Sequence, residues 1–199
     1  MDTPLLIIFT RNPIRGKVKT RLAASTDEDF ALRIYNKLRE ITRKAAYASG
    51  ADLAIYYDDH IPESDLFLGT NTRAFLQNGS DLGIRMLNAF KQGFSDNYRR
   101  IVLIGTDCPE LTGDIVKKSF KLLKENNAVL GPSKDGGYYL VGLNRPCPGL
   151  FINKQWSTPD VFTAAREELG RCNIDYALLP VLSDIDTVED LESFKPDRP

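Results

Sequence analysis

Cysteine is scarce. Cys108, Cys147 and Cys172 are the whole complement, and no two of them form a C-x-x-C pair. An odd count without that spacing argues against a disulfide framework or a thiolate zinc site. It fits reduced thiols, each packed as a small side chain, in a cytoplasmic protein. Histidine occurs once, as His60 in a polar connection, and is read as an inert surface residue. No apolar run nears the roughly 20 residues of a membrane span, and no basic segment precedes an apolar core at the start, so neither a membrane helix nor a signal peptide is expected. The 26 Lys and Arg against 27 Asp and Glu leave a net charge of −1. That balance gives no reason to expect nucleic acid or an anionic membrane as a partner. Internal repeats and low-complexity stretches are missing too.

What is present is a chain of 199 residues, 42% hydrophobic, enough to bury a core as a single domain over residues 1–199. Its organising stretch is LLIIFTRNPIRGKVKTRL, Leu5 to Leu22. An apolar run, Leu5 to Phe9, reads as a buried strand and breaks into a polar turn. Arg11, Arg15, Lys17, Lys19 and Arg21 put five cations into eleven positions there. In an open α/β sheet ligands bind beyond the carboxyl ends of the strands, and a cationic loop at that edge suits phosphate. A solvated surface loop is the plain alternative. A P-loop is not: Arg11 stands where its first Gly belongs, and Val18 where its Ser or Thr belongs.

Along the chain, Ser25 to Asp29 supplies an N-cap and first-turn acids. Phe30, Ile34, Leu38, Ile41, Ala45 and Ala48 then mark the core stripe of a long helix ending at Gly50. Ala51 to Tyr57 reads as a second strand, which demands a parallel crossover, whereas Asp58 to Gln77 gives no clear pattern. Ser80-Asp81 opens a helix with Leu82, Met86, Ala89, Phe90 and Phe94 inward, and Gly79 and Gly83 leave room for a turn or a ligand. Ile101 to Ile104 is a fully apolar central strand running into Gly105-Thr106-Asp107-Cys108-Pro109. Asp107 is placed either to begin a turn or to hold Mg²⁺ beside a phosphate loop.

Thr112 caps a helix carrying Ile115, Val116, Phe120, Leu122 and Leu123. Strands Ala128 to Leu130 and Tyr138 to Leu143 flank Asp135-Gly136-Gly137, where Asp135 completes a turn or faces a ligand. Thr158 and Pro159 read as N-cap and first residue of a helix, Val161 to Leu169, that Gly170 ends. Trp156, the only tryptophan, precedes it. Ile174 to Leu179 suggests a last strand, Thr187 caps a short helix through Leu191 and Phe194, and the tail from Lys195 is expected to fray. This order predicts a three-layer α/β/α sandwich on a mainly parallel sheet.

Together, FTRNPIRGKVKTRL, QNGSDLGIRM, LIGTDCP, LGPSKDGGYYLVGL, WST and DIDT resemble a bacterial family of glycosyltransferase-like proteins. That family belongs to the nucleotide-diphospho-sugar transferase superfamily, of the GT-A, Rossmann-like fold, and some members are described as arsenosugar-biosynthesis glycosyltransferases. The segment Lys17 to Leu22 is also similar to the loop of phospholactate guanylyltransferases, and more distantly to that of sugar nucleotidyltransferases.

The resemblance implies that Arg11, Lys17, Lys19 and Arg21 contact nucleotide phosphates, and that Gly79, Asp81, Leu82 and Gly83 line the nucleoside pocket. It implies that Asp107 coordinates a divalent metal, Mg²⁺ or Mn²⁺, with Asp186 or Asp184 completing the site. Asp135, Gly136, Gly137, Trp156 and Ser157 would face the acceptor or transferred group, and Lys19, Arg21, Asp107 and Asp135 would carry the chemistry. Its partners would be a nucleotide or nucleotide-sugar donor and a small-molecule acceptor. Thr106-Asp107-Cys108 offers one acid where many sugar transferases have Asp-x-Asp, a habit shared with nucleotidyltransferases; the basic loop in turn has one glycine where nucleotidyltransferases have several. Sugar transfer, nucleotidyl transfer and a non-catalytic nucleotide-binding module therefore stay open, as do base, sugar, acceptor and oligomeric state.

Overall fold

The structure is a computed structural model that describes residues 3–70 and 72–194. The tail from Lys195 lies outside the described residues.

Seven strands form one sheet: β1 (Leu5–Thr10), β2 (Asp52–Tyr57), β3 (Thr72–Leu76), β4 (Ile101–Ile104), β5 (Ala128–Pro132), β6 (Tyr138–Leu143) and β7 (Tyr176–Leu178). Their spatial order is β3-β2-β1-β4-β6-β5-β7. Every pairing is parallel except those of β6, which runs antiparallel to both β4 and β5. Among the described residues the α-helices are α1 (Thr20–Ser25), α2 (Glu28–Ser49), α3 (Leu82–Ser95), α4 (Gly113–Leu122), α5 (Val161–Arg171) and α6 (Val188–Ser193).

Successive side chains of a strand point to opposite faces, so a run buried throughout must be covered on both sides. In β1, Leu5, Ile7 and Phe9 join Met86, Phe90, Ala165 and Leu169 of α3 and α5. Leu6 and Ile8 join Ala45, Ala46, Val116 and Phe120 of α2 and α4. The result is the expected three-layer sandwich with a mainly parallel sheet. No helix among the described residues is long and apolar enough to cross a membrane.

Several local expectations shift. The stripe of α2 is rotated: Tyr35, Arg39 and Thr42 are buried with Ala31, Leu38 and Ala45, whereas Ala48 is exposed. Buried Arg39 pairs with Asp65, whose other oxygen accepts from Tyr57 Oη at 2.8 Å, so this polar face is satisfied. The obscure stretch after Asp58 contains β3, an edge strand whose alternation is weak because neither face is fully covered. Helix α5 begins after Asp160: Thr158 instead donates to Gln155 O within a turn, and the helix runs through Gly170 to Arg171. Of the cysteines, Cys108 and Cys147 are buried, but Cys172 is exposed where it caps α5.

Candidate active site

Because β1, β2, β3 and β4 are parallel, their carboxyl ends lie at one edge of the sheet. The turn between β5 and β6 and the segment after β7 reach the same edge, since Ser133 bridges to Leu182. A cleft of about 770 Å³ opens there, at the place where open α/β sheets hold ligands.

The basic loop is pinned by its apolar members. Val18 and Leu22 are 2% and 0% exposed, which fixes the intervening Lys19-Thr20-Arg21 at the mouth of the cleft. Lys19 caps α1 in the left-handed region, φ +47° and ψ +47°. Such a conformation costs a residue with a side chain about 1–3 kcal/mol, so it persists where its surroundings fix it. Here they do: Lys19 Nζ lies 2.5 Å from Asp107 Oδ1 and 2.8 Å from Asp186 Oδ1. Burial alone would lower the lysine's pKa, but the two carboxylates outweigh it and the net shift is upward.

Asp107 follows the apolar strand β4, and Ile185 donates its N–H to Asp107 O at 3.0 Å. That bond brings the DIDT segment to the end of β4. Ile185 is 2% exposed, and the flanking Asp184 and Asp186 both line the cleft. Asp186 is held from behind, its N–H bonded to Asp190 within the capping box of α6. Burial, then the charges of Asp107 and Asp135, push the Asp184 carboxyl up to about 7, while Lys19 pulls it down and Asp186 adds to the rise. Asp135 lines the same cleft while closing its turn: its Oδ1 accepts from Ser133 Oγ at 2.5 Å and from Gly137 N at 2.9 Å.

Residues 19, 107 and 186 thus meet at one point. Arg11, Arg21, Leu82, Gly137, Trp156 and Ser157 also line the cleft, whereas Lys17, Gly79, Asp81, Gly83 and Gly136 do not. Arg15 turns away to pair with Glu28 and Asp29, and Lys17 is exposed with its carbonyl accepting from Arg11. Asp81 is the N-cap of α3, accepting from Ile84 N. The glycines answer to packing. A Cβ on Gly83 would sit 2.1 Å from Phe151 O and 2.7 Å from the Trp156 indole, and one on Gly136 would sit 2.0 Å from Pro159 O. Leu82, expected inward, is instead 43% exposed and forms an apolar patch of the cleft wall.

Tyr35 was not among the sequence candidates. Its Oη accepts from Arg11 N at 2.8 Å and Thr106 Oγ1 at 3.2 Å, and donates to Arg11 O at 3.1 Å. One oxygen therefore ties the chain leaving β1 to the chain leaving β4. Gln77 acts similarly, donating to Thr10 O and Tyr56 O, and Arg85 adds a further cleft-lining cation. The unexpected polar position of Tyr35 on the α2 core face was the available signal. Cys108, also in the wall, has its thiol pushed up to about 12, chiefly by burial, so it stays protonated and unreactive. His60 is exposed beside Asp59, in a loop that Asn12 ties down.

Comparison with solved structures finds this architecture elsewhere. A protein of Desulfovibrio desulfuricans G20, provisionally named a nucleotide-diphospho-sugar transferase, is 34% identical with a TM-score of 0.87, covering 96% of this chain and 85% of its own. Rv0371c of Mycobacterium tuberculosis H37Rv is 13% identical with a TM-score of 0.62, covering 96% and 97%. It is also known as a manganese complex. A CMP:2-keto-3-deoxy-manno-octonic acid synthetase solved with CTP is 11% identical with a TM-score of 0.56, covering 96% of each chain. The last two likenesses concern the fold alone, which is that of the nucleotide-diphospho-sugar transferases. Comparison with curated proteins gives no match. Residues 37–158 match the family model described as "Uncharacterized protein conserved in bacteria (DUF2064)", and the chain belongs to that family.

Proposed function

We propose that this chain is a divalent-metal-dependent transferase that takes a nucleotide-diphospho-sugar as donor and passes the sugar to a small-molecule acceptor. The observation that carries the reading is the meeting of Lys19 with Asp107 and Asp186 inside the large cleft at the carboxyl edge of the sheet. Asp107 and Asp186, with Asp184 beside them, offer hard oxygen donors, and two of these already converge on a cation, the lysine ammonium. Mg²⁺ or Mn²⁺ fits such a set, since an ion that keeps phosphate oxygens and waters in its shell needs only a few carboxylates. Among the described residues no three acidic, His or Cys side chains form a closed cage, so the ligand phosphates would complete the shell. When bound, the ion would neutralise charge on the diphosphate.

The chain's own groups then have distinct parts. Lys19, Arg21 and Arg11 face the leaving diphosphate, where negative charge grows as the bond to the sugar breaks. Cations fixed there favour the transition state over the ground state. Leu82 gives the nucleoside an apolar surface. Asp135, Gly137, Trp156 and Ser157, on the β5–β6 side of the cleft, receive the sugar and its acceptor.

Nucleotidyl transfer to a phosphorylated small molecule, with pyrophosphate released, is the second reading. It is favoured by the lone acid after β4 and by the fold shared with the CTP-bound synthetase. Both readings are tested by offering the purified protein nucleoside triphosphates and nucleotide sugars with Mg²⁺ or Mn²⁺. Sugar transfer releases a nucleoside diphosphate only when an acceptor is present, whereas nucleotidyl transfer releases pyrophosphate. Binding without turnover on every donor would defeat both. In whichever reaction proceeds, Asp107→Ala is expected to lower turnover about a hundredfold or more, roughly 3 kcal/mol, with the fold intact by circular dichroism.

A further inference from the structure

Lys19 differs from the other cations of its loop. Arg11, Lys17 and Arg21 are exposed, whereas the Lys19 side chain is 4% exposed and turned into the acidic end of the cleft. Its backbone takes up a strained left-handed conformation at the same place. The ammonium lies within 2.8 Å of two carboxylates that follow different strands, Asp107 after β4 and Asp186 after β7. Asp184 and Asp135 line the same cleft, so the ammonium sits on its acidic side. A divalent ion bridging Asp107 and Asp186 would occupy the point where the ammonium now sits. Two cations cannot share it, because like charges so close repel strongly in a part-buried site.

We propose, resting on the transferase reading above, that Lys19 is an internal stand-in for the divalent cation. It holds Asp107 and Asp186 together in the free protein and excludes the metal until the phosphates of a nucleotide draw the ammonium away. The arriving phosphates give Lys19 a new anionic partner and leave the two carboxylates without a counter-charge, and the metal then binds between them. Nucleotide and metal promote each other by the same factor, as linkage requires. A lysine that only gripped phosphates would behave differently: removing it would weaken nucleotide binding and leave metal binding to the free protein unchanged.

The test is Mn²⁺ binding to nucleotide-free protein, followed by the electron paramagnetic resonance signal of free Mn²⁺. Lys19→Met is expected to bind Mn²⁺ at least tenfold tighter than wild type, and adding Asp107→Asn to that variant should abolish the gain. In thermal melts, Mn²⁺ alone should raise the midpoint of Lys19→Met by several degrees and barely move wild type. Equal Mn²⁺ affinity in the two proteins would overturn the proposal. Lys19→Gln serves if the methionine variant does not fold, and wild type alone supplies a second test. Where GDP, UDP or CDP binds it, Mn²⁺ bound as tightly without that diphosphate as with it would also overturn the stand-in. If the variant gains Mn²⁺ affinity but none of these diphosphates binds wild type, the stand-in holds and the nucleotide reading fails.

Discussion

Asp184 carries the sharpest electrostatic conflict in the cleft. Its carboxyl is raised to about 7 by burial first, then by the charges of Asp107 and Asp135, against the pull of Lys19. An unfolded chain holds the same carboxyl near 3.9. Between these values the folded state binds the proton and the unfolded state does not, so this contribution is fully present below about pH 4. It is lost as pH rises through about 7. Urea unfolding between pH 4.5 and 7.5, with chelator present, should show wild type losing stability relative to Asp184→Asn as pH rises. Each pH unit separating the folded and unfolded titrations is worth about 1.4 kcal/mol, so the gap amounts to a few kcal/mol at most. Parallel stability curves for the two proteins would show that Asp184 does not titrate in this window.

The elements were legible where one physical signal dominated. The apolar runs of β1 and β4, buried throughout, and the caps Thr112 and Thr187 appear where the residues place them, and α2 and α3 are capped within the expected stretches Ser25 to Asp29 and Ser80-Asp81, by Asp27 and Asp81. Elsewhere the signal was overridden by contacts from distant parts of the chain. The Thr158-Pro159 start gave way because Gly136, with φ +89°, admits the Pro159 backbone against the β5–β6 turn, and Phe162 N bonds to Gly136 O at 2.9 Å. Likewise α1 is too short to show a period, and Tyr35 and Arg39 hide a polar network on what reads as an apolar stripe. In the site, Asp107 was legible from the strand before it, but its ion pair with Lys19 depends on a crossover that no local pattern contains.

Gly83 shows the same long-range control and can be tested. Gly83→Ala would drive a methyl into Phe151 O and the Trp156 ring, both too close to accommodate it, and so displace the segment between the 3₁₀ turn Pro148–Leu150 and α5. Overpacking of this kind typically costs about 1–3 kcal/mol. Since Trp156 is the only tryptophan and its Nε1 is buried, its emission should shift to the red while far-ultraviolet circular dichroism is unchanged. Emission identical to wild type would mean that the segment does not rest on Gly83.

At the scale of the whole molecule, the cleft joins pieces that the sequence keeps far apart. Lys19 lies after β1, Asp107 after β4 and Asp186 after β7, and only the parallel order of the sheet delivers them to one edge. The β1 and β4 ends are clamped by Tyr35 and the last two segments by the bond from Ile185 to Asp107, so a ligand gripping any one of the three loads the other two. Hydrogen exchange with a nucleoside diphosphate and Mn²⁺ should therefore slow together at residues 19–26, 106–108 and 184–187. At a ligand concentration one hundred times Kd the stabilisation is about 2.7 kcal/mol, or about a hundredfold in rate for amides that exchange only when the ligand has left. Protection confined to residues 19–26 would show that the basic loop binds phosphate alone. In that case the acids after β4 and β7 would belong to no common site, and a transferase built on their meeting with Lys19 would have to be abandoned.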